Sequence, residues 1–173
     1  MNLIEIIFCD INKTYNRTLK AKFPNSTVIN LAVTHLKNSK LYFIEHPTNP
    51  GQNYASSSKI SKIKIKTISL EGILRKVKNK SNLIFLKMDT ESDEIAKLES
   101  LPEKYFKRIY VISLEVLPSI NTIKAINRLD YFVPSNYDFY RQVRYGLIKV
   151  NRHKPHWTDN LNLFQNLILI RRD

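Results

Sequence analysis

Three short apolar runs in this chain end at or near a carboxylate. Leu3 to Cys9 runs into Asp10, Leu83 to Met88 runs into Asp89-Thr90-Glu91, and Glu115 stands close to the end of Ile109 to Val116. An acid at the end of a strand is a common partner for a ribose hydroxyl, and one that faces a crevice is open to a ligand. Each acid also has an ordinary alternative. Asp10 suits a cap on the helix that follows it. Thr90 is a good helix N-cap, and Glu91, Asp93 and Glu94 would then fall in a first turn, where the helix dipole favours negative charge. For Asp93 and Glu94 that explanation suffices. Asp89 precedes the helix and belongs to the strand end. Glu115 lies inside an apolar run, where an ionised carboxylate needs a partner or an opening.

The elements that would position these acids alternate between two periodicities. The three runs are nearly continuous in apolar residues and rich in Ile and Val, which suits strands buried on both faces. Between them lie helical spacings: Tyr15, Leu19 and Phe23; Ile73 and Val77; Ile95, Leu98 and Leu101; and Ile120, Ile123, Ile126 and Leu129. Strands alternating with amphipathic helices predict βαβ units, an α/β fold and a mostly parallel, Rossmann-like sheet. In such a sheet ligands bind beyond the carboxyl ends of the strands, where all three acids fall. The end of the chain differs. Tyr137 to Tyr140 and Leu163 to Arg171 read as an antiparallel strand pair joined by a long excursion. Pro47 to Gly51 and Ser56 to Ser58 read as a loop.

At 173 residues, with 43% hydrophobic and 25% charged residues, the chain is expected to form one domain with a sizeable core. No apolar run approaches the roughly 20 residues of a membrane helix, and the first residues do not read as a signal peptide. The single cysteine, Cys9, cannot form an intramolecular disulfide and reads as a small buried residue, so the expected address is cytoplasmic.

The net charge of +13 favours a polyanion or an acidic substrate, but the basic residues are spread along the chain. The richest stretch, Lys59 to Lys66, alternates Lys62, Lys64 and Lys66 with Ile63 and Ile65, the pattern of a strand with one wet and one apolar face. No aromatic residues interleave there to stack bases, so nucleic-acid binding is the less favoured reading.

His153 and His156 lack a neighbouring acid to complete a metal site and read as surface loop residues. Trp157 with Arg152 and Lys154 suits either a ligand contact or a loop anchor. Only Gly51, Gly72 and Gly146 occur, each isolated, which excludes Walker-type phosphate loops and dinucleotide fingerprints.

The segment Phe85-Leu86-Lys87-Met88-Asp89-Thr90-Glu91-Ser92-Asp93-Glu94-Ile95-Ala96-Lys97-Leu98 resembles the FkbM family of methyltransferases. There a strand ending Leu-Lys-Ile-Asp is followed by Val-Glu-Gly and an acidic helix start. Thr67-Ile68-Ser69-Leu70-Glu71 is similar to that family's Thr-Leu-Asp element, Val28 to Thr34 to its third strand and Asn166 to Arg171 to its final strand. Ser92 replaces the usual glycine and Glu71 the usual aspartate. After the first run the family commonly reads Phe-Glu-Pro, whereas this chain reads Phe8-Cys9-Asp10-Ile11. The family's opening central strand and Asp-x-Gly-x-x-x-Gly turn have no counterpart, so the chain reads as one FkbM-like domain over 1–173 that starts at the second strand and is N-terminally incomplete.

What this resemblance implies is S-adenosylmethionine-dependent methyl transfer to a hydroxyl of a small molecule or sugar, with no metal required. Asp10 would hold the cofactor's ribose. Asp89, with Glu91, would line the methyl-transfer crevice, and Glu115 would serve the acceptor side. The missing glycine turn keeps open a different class of function, an inactive interaction or structural module derived from a methyltransferase.

Overall fold

The computed structural model describes residues 5–36, 41–44, 48, 54–56, 63–79, 83–90, 93–116, 120–153 and 165–172. They fall into two compact units, Met1–Lys80 and Ser81–Asp173, and each is described by itself.

In the first unit, strand β1 (Ile7–Cys9) pairs in parallel with β2 (Thr27–Ile29), and helix α1 (Lys13–Lys22) connects them. The helix starts where Asn12 accepts the backbone N–H groups of Thr14 and Tyr15 at 2.9 and 3.4 Å, satisfying donors that have no intrahelical partner. Lys20 and Lys22 in its last turn match the negative end of its dipole. The Phe8 and Phe23 rings meet at 5.4 Å between centroids and tie helix end to strand. Short β3 (Ala32–Val33) pairs in parallel with β7 (Thr67–Ile68), and β4 (Leu41–Ile44) pairs antiparallel with β5 (Tyr54–Ser56) and β6 (Lys64–Ile65). Helix α2 (Leu70–Leu74) is capped by Ser69, whose hydroxyl accepts the Gly72 N–H at 3.0 Å.

Several local expectations need correction here. The helix expected through Val77 ends at Leu74, one turn after it starts. Val28 to Thr34 is two strands in separate ladders. Ser56 ends a strand, and the rest of that expected loop, Thr48 apart, lies outside the described residues. In the lysine-rich stretch Lys64 faces water as expected, but Ile63, just before the two-residue strand β6, is also exposed; Lys59 and Lys62 lie outside the described residues. Cys9 is half-buried. Its thiol donates to the Leu31 carbonyl at 3.4 Å, and burial pushes its pKa up to about 11, so it stays protonated near neutral pH.

The second unit is a five-stranded sheet in the order β11-β10-β12-β9-β8, formed by β8 (Ile84–Met88), β9 (Ile109–Val116), β10 (Tyr137–Val143), β11 (Gly146–Val150) and β12 (Gln165–Arg171). Its helices are α3 (Glu94–Glu99) and α4 (Ile120–Phe132), joined by an Arg128–Glu99 ion pair. Leu98, Ile109, Ile112, Leu114, Leu129, Leu167 and Leu169 are fully buried. Each such side chain contributes roughly 1.5–3 kcal/mol. Tyr137 is buried among them, and its hydroxyl donates to the Phe106 carbonyl at 2.9 Å and also meets that of Ile109.

The expectation of a mixed α/β chain holds, and parallel pairing is present in β1–β2, β3–β7 and β8–β9. The sheet of this unit is mixed, since β9–β12, β12–β10 and β10–β11 pair antiparallel. The expected pairing of the last two runs is present as β10 with β12. Part of the excursion between them is strand β11, which shows little hydrophobic alternation because most of it faces solvent. The run Leu83 to Met88 is also not buried on both faces. It forms the sheet's edge, with Leu83 and Phe85 exposed.

Candidate functional site

Strand alternation sorts the side chains at the ends of β8 and β9. Met88 lies opposite Leu114, and Leu114 opposite Leu167; all three are buried on one face. The next residue along each strand must point to the other face. Those residues are Asp89, Glu115 and Asn166, and Glu115 and Asn166 are direct cross-strand partners. Beyond them, Asn166 Nδ2 donates to Gln142 Oε1 at 3.0 Å, so a polar row crosses four strands: Asp89, Glu115, Asn166, Gln142.

Asp89 and Glu115 are hydrogen-bonded through their carboxyl groups. That bond exists only while one of the two carries a proton. Together with the Lys87 ammonium, 2.8 Å from Asp89 Oδ2, it outweighs partial burial and holds the Asp89 carboxyl below the usual carboxylate range. An acid whose ionised form is favoured thus sits beside a second carboxyl group, at the carboxyl ends of two adjacent parallel strands. Such a pair can accept hydrogen bonds from hydroxyls and take up a proton released beside it.

The turn after β8 departs from the expected one. Thr90 is not the helix N-cap; that position is Asp93, which has a left-handed backbone (φ 57°) and makes no side-chain cap bond. The helix begins three residues later than the cap reading requires. Thr90 is gripped instead by Glu94, whose Oε1 accepts both its N–H at 3.0 Å and its hydroxyl at 2.7 Å, while Lys97 Nζ donates to that hydroxyl at 2.6 Å. Glu94 and Lys97 are 8% and 4% exposed, so Glu94 is no solvated first-turn acid. Burial pushes the Lys97 ammonium pKa down, opposed by the charges of Glu94 and Asp93.

Asp10 ends β1 in the first unit. Its Oδ1 accepts the Asn12 N–H at 2.6 Å, and its carbonyl accepts from Asn16 Nδ2 at 2.9 Å and Asn30 Nδ2 at 3.1 Å. The carboxylate therefore shapes the turn into α1, while Asn12 is the cap itself. Glu91 lies outside the described residues, as do His156, Trp157 and Lys154. Of the acids expected at a site, the structure brings Asp89 and Glu115 together within the second unit. Asn166, Gln142, Glu94 and Lys97 were missed. Lys97 is indistinguishable from a solvated helix lysine in sequence, and Asn166 reads as the start of an apolar strand.

Elsewhere in this unit a cleft of about 850 Å³ lies beside the carboxyl end of α4, and none of the strand-end acids lines it. Arg152 there pairs with Asp130 and donates to the Val133 carbonyl at 2.9 Å, closing the end of the helix, and its guanidinium stacks on Phe139 at 5.0 Å. His153 Nδ1 is 2.5 Å from Asp130. This is a helix-capping cluster, and among the described residues no three His, Cys, Asp or Glu are grouped to hold a metal ion.

Compared with known proteins, residues 7–170 match the family model described as "Methyltransferase FkbM domain". No curated protein and no solved structure matches the chain.

Proposed function

The chain belongs to the FkbM methyltransferase family, and from that premise we propose that it is an S-adenosylmethionine-dependent O-methyltransferase acting on a hydroxyl of a small molecule or sugar. The observation that carries the reading is the Asp89–Glu115 pair at the ends of adjacent parallel strands. These residues suit the cofactor. An ionised carboxylate accepts ribose hydroxyls and balances a sulfonium charge, and the hydrogen bond with Glu115, aided by Lys87, favours the ionised form of Asp89. When bound, S-adenosylmethionine supplies an already activated methyl group, whose passage to a hydroxyl oxygen releases a thioether and one proton. The protein's work is then alignment and removal of that proton. The released proton goes to the ionised member of the carboxyl pair: Glu115, on the acceptor side, takes it while passing its own proton to Asp89. Asp89 holds the cofactor; the family resemblance gives the crevice role to Glu91 as well and the ribose role to Asp10.

Among the described residues no helix is long and apolar enough to cross a membrane, and we take the cytoplasm as the site of action. Titration calorimetry with S-adenosylmethionine tests the assignment: saturable binding to the native chain, lost in Asp89→Ala with an unchanged circular dichroism spectrum. Absence of binding at millimolar cofactor would favour the second reading, a methyltransferase-derived interaction module. The observation on that side is the set of three isolated glycines, none of which follows a strand-end acid.

A further inference from the structure

We infer that Asn166 and Gln142 form an acceptor-recognition pair that selects neutral, hydroxyl-bearing molecules over acidic ones. The pair extends the carboxyl row: Asn166 is the cross-strand partner of Glu115, and its Nδ2 is bound to Gln142 Oε1 at 3.0 Å. That bond aligns the two amides end to end and leaves the acceptor Asn166 Oδ1 and the donor Gln142 Nε2 for a ligand. A hydroxyl both donates and accepts, so two neighbouring hydroxyls on one ring match an acceptor set beside a donor.

The surroundings disfavour an anion. Two described lysines on this face are already paired with acids, Lys87 with Asp89 and Lys149 with Asp138, each at 2.8 Å. A carboxylate or phosphate entering here would meet the Asp89–Glu115 pair. Tyr140, two residues before Gln142 and therefore on its face, lies opposite Ile168; both are half-buried and give the pair an apolar shoulder for a ring to rest on. A hydroxyl held by the amides sits beside Glu115, and its neighbour is the one placed to lose a proton. Which hydroxyl reacts rests on the methyl-transfer reading; the recognition of a neutral ring does not.

Saturation-transfer NMR on the full chain tests this with methyl glycosides of glucose, mannose and galactose against the methyl glycoside of glucuronic acid. The expected result is binding of at least one neutral glycoside, weakened about fivefold or more in Gln142→Ala and in the isosteric Gln142→Glu, which loses the donor without loss of bulk. The glucuronide should give no signal. Failure of all three neutral glycosides, undiminished binding in both variants, or glucuronide binding as strong as the neutral compounds would each overturn the inference. Cofactor calorimetry on the same samples separates the two readings. Cofactor bound without any glycoside sinks only the recognition pair, whereas glycoside bound without cofactor sinks only methyl transfer.

Discussion

Asp89 and Glu115 share a hydrogen bond between carboxyl groups carried on neighbouring parallel strands, β8 and β9. Two carboxyl groups this close titrate as a pair. Removing the partner should be visible on Asp89 itself. In Glu115→Ala the Asp89 carboxyl midpoint, followed by carbon NMR, is expected to rise toward the ordinary aspartate value of about 3.9. An unmoved midpoint would show that Lys87 alone holds it down.

The Thr90–Glu94–Lys97 network is a buried ion pair bridged by a hydroxyl, and its members depend on one another. Lys97→Met leaves the Glu94 carboxylate buried without its cation and is expected to cost about 3–5 kcal/mol. The double variant Lys97→Met with Glu94→Gln should recover part of that loss, because no charge is then stranded. Thermal melts of the two variants check this, and equal losses would contradict it.

Tyr137 anchors the backbone that leads into β9. Its hydroxyl serves buried carbonyls, and burial pushes its pKa up to about 12. Tyr137→Phe preserves the ring and its edge-on contact with Phe106 but strands those acceptors. The expected loss in a denaturant titration is about 1–3 kcal/mol.

Acid should loosen the end of α4. Burial alone would raise the Asp130 carboxyl, but Arg152 and His153 overcome it, and the net direction is down. The folded-state value therefore lies below the unfolded one of about 3.9. The contribution of this cluster is fully present above that value and is lost as pH falls through the lower, folded one. Melting temperature followed from pH 5 downward should fall more steeply in the native chain than in Asp130→Asn, which has no such group to titrate. Parallel curves would remove the linkage.

The strong elements were legible because their hydrophobic patterns are long. The run from Ile109 to Val116 and the repeat of α4 stand where they were expected, while α3 starts later than its expected cap and ends before Leu101. Weaker segments failed for physical reasons. Strand β11 is mostly solvated, so it shows little alternation; α2 is a single turn; and β8 looks doubly buried while standing at a sheet edge. The candidate site was half legible. Asp89 and Glu115 were found from the rule that strand ends face ligands. Asn166 and Gln142 join them only through antiparallel register, which strand patterns do not reveal when the two strands are separated by a long connection.

The account turns on where the cofactor sits, and backbone amide NMR with S-adenosylhomocysteine locates it directly. The predicted result is a set of shifted amides clustered at Asp89, Thr90, Glu115 and Val116. Shifts confined to the Asp130–His153 cleft, or none at saturating ligand, would contradict the assignment.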